Sequence, residues 1–137
     1  MTSVPARPSW SVLAAVALGG ALGSLARWGV GCVFWGYAGW PWGTFLVNVT
    51  GSFALGVVMV LVLEVRPLSR FARPFWGVGV CGGYTTFSAY ALEVHHLLVA
   101  GRAGLAVAYA VGSVLAGVLA VALGMIAARR ILCERGA

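Results

Sequence analysis

The sequence predicts an all-α membrane protein with four transmembrane helices, the third of them broken near the membrane midplane. Of its 137 residues, 61% are hydrophobic and only 9% are charged, whereas charged residues make up about a quarter of an ordinary soluble domain. The apolar residues form four stretches, each long enough for a helix to cross the hydrocarbon core, which takes about 20 residues. A run of glycine and threonine interrupts the third stretch at its centre.

The four stretches follow one another through short connections and form a single transmembrane domain over residues 1–137. The first is interpreted as a retained span rather than a signal peptide, because it is long and no clear cleavage site follows it. Residues 36–42, rich in Gly and Trp with one Pro, form a hinge at the membrane interface. We predict spans at about residues 10–35, 43–65, 75–100 and 105–128.

The third span reads Gly82-Gly83-Tyr84-Thr85-Thr86 at its centre, which is poor helix-forming sequence. A break frees backbone groups at membrane depth, and this is tolerated only where protein, water or an ion satisfies them. We therefore predict two half-helices, an arrangement typical of binding sites, with a kinked helix as the alternative. Small residues four apart on the first and fourth spans predict close helix packing: Ala15, Gly19, Gly23, Gly112, Ala116, Ala120 and Gly124.

Polar side chains occupy one face of the second span. Thr44, Asn48 and Ser52 are four residues apart, so they lie on the same side of a helix. An asparagine amide offers two N–H donors and one acceptor. Alone, Asn48 favours a hydrogen bond between helices; with Thr44 and Ser52, it indicates a hydrated or ion-lined groove.

Aromatic and polar residues also share faces on the last two spans. Phe87 and Tyr90 lie three apart, and their positive ring edges are able to contact an anion, although ordinary packing is the simpler interpretation. Glu93 follows on the same side and must face protein or water. Tyr109 and Ser113 form a further polar pair, four residues apart.

The charges argue for a membrane protein and against other classes. The net charge of +6 comes from nine Arg residues clustered beside apolar segments, which indicates interfacial anchoring rather than nucleic-acid binding. Arg27, inside the first span, is interpreted either as reaching an interface or as lining an aqueous vestibule that attracts anions. No acid pair, catalytic triad or phosphate-binding loop is present, so we predict no enzymatic activity.

Three motifs resemble those of the fluoride channels of the Fluc, or CrcB, family, and the resemblance covers all four spans. One lies in the first span, one resembles the second-helix signature GT-x3-N-x2-GS-F, and one is similar to the third-helix break GG-x-TTFS. In this sequence they are GGALGSLARW at 19–28, WGTFLVNVTGSF at 42–53 and GGYTTFS at 82–88.

The resemblance implies a dual-topology dimer of two antiparallel subunits in the cell membrane, with two fluoride pores. Asn48 would donate to fluoride and Phe87 would present its ring edge. Backbone carbonyls of Gly82 and Thr85 would bind a structural Na⁺ that is not transported. A polar track would hold the remaining pore residues: Thr44, Tyr90, Glu93, Tyr109 and Ser113. Transport would be passive export that lowers cytoplasmic fluoride.

Two features depart from the family pattern. Tyr90 stands where the family usually has a second Phe, so a hydroxyl is added beside the pore. The second departure is a charge bias, because seven Arg residues lie on one predicted side and Arg102 lies on the other. This bias predicts one orientation, with both termini inside, and therefore an oppositely oriented paralogue as partner instead of a second copy.

Two alternatives remain. A small proton-coupled drug exporter needs an acidic residue in its first helix, and this first span has none. A non-conducting or scaffold paralogue would share much of the sequence pattern. The polar line on the second span and the Thr85-Thr86 break argue against pure scaffolding, since scaffolding favours apolar packing.

Overall fold

The computed structural model describes residues 9–34, 39–64 and 69–135, and these residues form helices with no strand among them. The predicted all-α class is therefore confirmed. In chain order the helices are α1 (Trp10–Val33), α2 (Trp42–Glu64), α3 (a π-helix at Arg73–Cys81 and a turn at Gly82–Tyr84), α4 (Phe87–Val99) and α5 (Ala103–Arg135). Arg7, Arg66 and residues 35–38 of the predicted hinge lie outside the described residues.

Within the described residues, three helices are long and apolar enough to cross a membrane: Trp10–Val33, Trp42–Glu64 and Ala103–Leu132 of α5. Their outward surfaces carry large apolar side chains, such as Trp10 and Val33, which are 87% and 71% exposed. The third predicted span is present as α3 and α4, and each of these is shorter than the roughly 20 residues that a crossing needs.

Helix α1 packs against α3 through glycines. Gly19 and Gly23 of the predicted small-residue face are both buried. A Cβ atom added to Gly23 would collide with the backbones of Val80 and Tyr84, so this approach requires glycine. Gly83 lies against the backbone of Gly20 in the same way, which brings the end of α3 directly onto α1.

Helices α2 and α5 form a second close pair. A Cβ atom on Gly56 would meet the backbone of Val121 on α5, and one on Gly124 would meet the backbone of Phe53 on α2. Ala120, on the same face of α5, is buried. The fourth-span stripe therefore does pack closely against a neighbouring helix over this part of its length.

A tight turn joins α4 to α5. Gly101 adopts a left-handed conformation (φ +73°), and the amides of Gly101 and Arg102 donate to the carbonyls of Leu98 and Leu97. This pattern of two bonds ends a helix and reverses the chain. The two helices are therefore neighbours, and Tyr109 of α5 is completely buried in a cluster with Leu97.

Helix α5 is much longer than the other helices. Its 33 residues extend for about 50 Å, whereas the hydrocarbon core is about 30 Å thick. Near its C-terminal end, Arg129 makes a bidentate ion pair with Glu64 at the end of α2, with the shortest N–O distance 2.7 Å. Both side chains are substantially exposed.

Candidate functional site

The chain leaves helical conformation at Thr85 and Thr86, between α3 and α4. Asn48, a residue of α2, makes two hydrogen bonds to the backbone at this break. Asn48 Nδ2 donates to the Thr86 carbonyl oxygen (3.0 Å), and Asn48 Oδ1 accepts from the Thr86 amide (2.8 Å). In a continuous helix the Thr86 amide would bond the Gly82 carbonyl instead. Asn48 therefore replaces a helical bond, and its amide is fixed in one orientation.

The hydroxyls of the two threonines stabilise both sides of the break. Thr85 Oγ1 donates to the Cys81 carbonyl (2.9 Å) at the end of α3. Thr86 Oγ1 accepts from the Ala89 amide (3.2 Å) and so caps the N-terminus of α4. The paired threonines that made this segment unsuitable for a continuous helix thus serve as the end of one helix and the start of the next.

Two side chains of α1 reach carbonyls near the break. Ser24 Oγ donates to the Gly83 carbonyl, and Arg27 Nη1 donates to the Thr85 carbonyl, each over 3.4 Å. Distances of 3.4 Å lie beyond the usual range for strong hydrogen bonds. Side chains of α1 therefore supply part of the hydrogen bonding of the carbonyls near the break. Such bonding is required because apolar surroundings offer no water to these backbone groups.

A first cavity, here called the charged cavity, lies on one side of Thr86. It has a volume of about 380 Å³, and its lining includes Arg27, Thr44, Thr86 and Glu93. Glu93 Oε1 accepts from the Thr44 hydroxyl (2.6 Å), and Oε2 accepts from the Tyr109 hydroxyl (2.6 Å). The charged cavity thus combines a cation with a carboxylate whose two oxygens each hold a hydroxyl donor.

A second cavity, here called the neutral cavity, also reaches Thr86 and has a volume of about 350 Å³. Its lining carries no charged side chain among the described residues. Amide, hydroxyl, backbone and aromatic groups line it instead: Asn48, Ser52, Gly82, Thr85, Phe87, Tyr90 and Ser113. The Ser113 hydroxyl is buried and makes no hydrogen bond of normal geometry to any described residue.

Three aromatic rings form a row from the neutral cavity into the protein. The centroids of Phe87 and Tyr90 lie 5.6 Å apart, and those of Tyr90 and Tyr109 lie 5.6 Å apart. Phe87 is 79% exposed, so most of its side chain faces away from the rest of the chain. The Tyr90 hydroxyl, which a Phe at this position would lack, donates to the Ala110 carbonyl of α5 (3.1 Å).

The structure divides the predicted polar line of α2. Thr44 lines the charged cavity, while Asn48 and Ser52 line the neutral cavity, and Thr86 lines both. The physical reason is that the Asn48–Thr86 pair crosses the space between α2 and the break. The hydrated or ion-lined groove therefore stays a prediction, and its three residues are distributed between two cavities that share Thr86.

Sequence reasoning treated Thr86 only as part of the break, yet its backbone is the partner of Asn48 and it lines both cavities. A threonine three residues before Ala89, at the start of an apolar helix, is an N-cap signal and would have placed the start of α4. Ser24 was also overlooked, and no local signal identifies it, because its partner is a carbonyl 59 residues away.

Sequence comparison relates the chain to known proteins over most of its length. The family described as "CrcB-like protein, Camphor Resistance (CrcB)" matches residues 14–125. A protein of Nocardia farcinica named fluoride-specific ion channel FluC 2 is 49% identical over 123 residues, which are 87% of this chain and 86% of the relative. FluC 1 of Streptomyces coelicolor is 44% identical over 136 residues, covering 95% and 88%, and FluC 1 of Mycobacterium bovis is 46% identical over 124 residues, covering 90% and 94%. The residues matched by the family include every side chain that lines the two cavities.

Proposed function

Because the chain belongs to the CrcB family, we propose that it is a subunit of a fluoride-specific ion channel, a multi-pass protein of the cell membrane rather than an enzyme. In this function it mediates passive fluoride export and so lowers cytoplasmic fluoride. Its relatives carry the fluoride-channel name, and the chain covers 86% or more of the length of those described above.

The observation that carries the mechanism is the fixed amide of Asn48 in the neutral cavity. A pore for a small, strongly hydrated anion must replace water by donors and by positive ring edges, while binding weakly enough to release the ion. One Nδ2 hydrogen of Asn48 is taken by Thr86, and an amide has a second. We assign that second hydrogen to fluoride, with Phe87 presenting its ring edge beside it.

The other polar residues form a path on either side of this point. In the neutral cavity, the buried Ser113 hydroxyl has a donor to offer, and the Tyr90 ring continues the aromatic row. In the charged cavity, Thr44, Tyr109 and Glu93 form the remainder of the polar track. Arg27 is the vestibule cation, whose charge raises the local concentration of anions.

The carbonyls of Gly82 and Thr85 fit a hard cation such as Na⁺. Both residues line the neutral cavity, and the Gly82 carbonyl loses its usual helical donor to Asn48. Neutral backbone oxygens are ligands that hard cations accept. When bound, Na⁺ would supply a positive charge at the break, and Gly82 and Thr85 would hold it as a structural ion.

The working channel is proposed to be an antiparallel dimer in which α3 and α4 together make the fourth crossing. Phe87, exposed by 79% at the break, is a group that a second subunit would cover. Among the described residues, Arg70, Arg73, Arg129 and Arg130 lie on the predicted inner side and Arg102 on the outer side, which favours an oppositely oriented paralogue over a second copy. Accessibility of tags at both termini, with the chain expressed alone, tests this: equal populations in both orientations would contradict it.

A fluoride efflux assay in liposomes tests the function itself. We expect efflux from vesicles containing this chain together with its paralogue, or containing this chain alone if it pairs with itself. Chloride efflux from the same vesicles is the control for leakage. Absence of fluoride efflux in both preparations would reject the channel and leave the scaffold alternative.

A further inference from the structure

We infer that Arg27 competes with a cation for the Thr85 carbonyl and thereby lowers the affinity for Na⁺ of the site at Gly82 and Thr85. The inference rests on the proposed function, in which Na⁺ is the structural ion. It assigns to Arg27 a role at the helix break, in addition to its place in the lining of the charged cavity.

The packing of α1 on α3 brings Arg27 to the break. Gly19, Gly23 and Arg27 are four residues apart and therefore share one face of α1. Gly23 allows the backbones of α1 and α3 to touch at Val80 and Tyr84. The next residue on that face then meets the chain where α3 ends, and Arg27 Nη1 lies 3.4 Å from the Thr85 carbonyl oxygen.

Arg27 differs from its neighbour on α1 in charge. Ser24 donates to the adjacent Gly83 carbonyl over the same 3.4 Å, but its hydroxyl is neutral. The guanidinium of Arg27 carries a positive charge. Both bonds are long and therefore weak. Arg27 and Ser24 thus differ chiefly in that only Arg27 places a positive charge beside the proposed ion.

That charge matters because the site is partly buried. A carbonyl oxygen has two lone pairs, so Arg27 and an ion compete at it through the repulsion between their positive charges and not through a lack of acceptor sites. Two unit positive charges about 5 Å apart at an effective dielectric constant near 20 repel strongly enough to change affinity more than tenfold. Without Na⁺, Arg27 satisfies the carbonyl; with Na⁺ bound, it is repelled towards the charged cavity that it also lines.

The test is the Na⁺ dependence of thermal unfolding of the assembled channel, with choline replacing Na⁺ at constant ionic strength and no fluoride present. An ion that binds only the folded protein raises the protein's unfolding temperature as the concentration of the ion rises. For Arg27→Gln we expect the midpoint of this Na⁺ titration at a concentration at least tenfold lower than for the unmodified chain. Ser24→Ala is the matched control, and its midpoint should stay within about twofold. Arg27→Lys keeps the charge and should lie closer to the unmodified chain than Arg27→Gln does.

A midpoint for Arg27→Gln equal to or above that of the unmodified chain would overturn the inference. So would failure of both Arg27→Gln and Arg27→Met to fold in saturating Na⁺, because Arg27 would then be a structural requirement rather than a competitor. If the unmodified chain showed no Na⁺ dependence, the proposed ion site itself would be refuted, and the inference with it. Efflux measured on the same samples separates that result from failure of the channel proposal.

Discussion

The charged cavity and the neutral cavity meet at Thr86 but are built from different chemistry. Arg27 and Glu93 line the first. The second is lined, within the described residues, by an amide, hydroxyls, backbone and aromatic rings. One turn of α2 separates Thr44 in the charged cavity from Asn48 in the neutral cavity, so a short stretch of sequence contributes to both.

This difference separates two tasks of the proposed channel. A fixed charge acts over several ångströms, so the charged cavity influences how many anions approach. A neutral donor acts only at hydrogen-bond distance, so the neutral cavity is where one anion is distinguished from another. We therefore expect loss of the fluoride donor in the neutral cavity to affect fluoride flux more than loss of a charge in the charged cavity.

The largest effect is expected for Asn48→Asp, which introduces a charge into the neutral cavity. The carboxylate has no N–H for fluoride, repels the anion, and places its oxygen opposite the Thr86 carbonyl. We expect fluoride flux in liposomes to fall by at least about a hundredfold, since the lost donor and the added repulsion each cost more than 1.4 kcal/mol, a factor of ten. Ser52→Ala, in the same cavity, is the control and should retain most of the flux. Normal fluoride flux through the Asn48→Asp variant would show that Asn48 does not line the fluoride pore.

An intermediate effect is expected for Glu93→Gln in the charged cavity. The carboxylate accepts from the hydroxyls of Thr44 and Tyr109, and Gln offers one acceptor in place of two. We expect a loss of about 2 kcal/mol of stability, measured by thermal unfolding, with flux changed by less than about tenfold. Thr44→Val removes one of the two bonds and should cost about half as much. A loss of flux as large as that of Asn48→Asp would contradict the separation of tasks, in which the charged cavity attracts anions and the neutral cavity distinguishes between them.

The smallest effect is expected for Tyr90→Phe. Its hydroxyl donates to the Ala110 carbonyl, so removing it costs about 1 kcal/mol of stability or less and leaves the ring in the aromatic row. Fluoride flux should remain within about twofold of the unmodified chain. Tyr90→Leu, which removes the ring, should reduce flux more. Equal flux through Tyr90→Phe and Tyr90→Leu would argue that the ring has no part in conduction.

The sequence predicts some parts of this arrangement well, and the reason is that they are local. Chain length and hydropathy identify the helices, and Gly82 to Thr86 mark the end of α3 because those residues are poor helix formers. The glycines four apart on α1 predict close packing because helical period alone places them on one face.

The remainder depends on long-range contacts that no local pattern contains. The Asn48 amide meets Thr86 across 38 positions and the Arg27 guanidinium meets Thr85 across 58. The spacing of Thr44, Asn48 and Ser52 predicts a shared face, but it does not predict that Thr44 lines one cavity while Asn48 and Ser52 line another. Helical period fixes which residues share a face; it does not determine what another helix places against that face.

The length of α5 gives the protein a physical marker of sidedness. About 20 of its 33 residues are enough to cross the hydrocarbon core, and the other 13 account for roughly 20 Å of helix, which includes the end that holds Arg129 beside Glu64. Tilt of about 20° shortens this overhang only slightly. In an antiparallel pair each face of the membrane would therefore carry one projecting helix end. A cross-linker or protease restricted to one face would then count the subunits of each orientation directly.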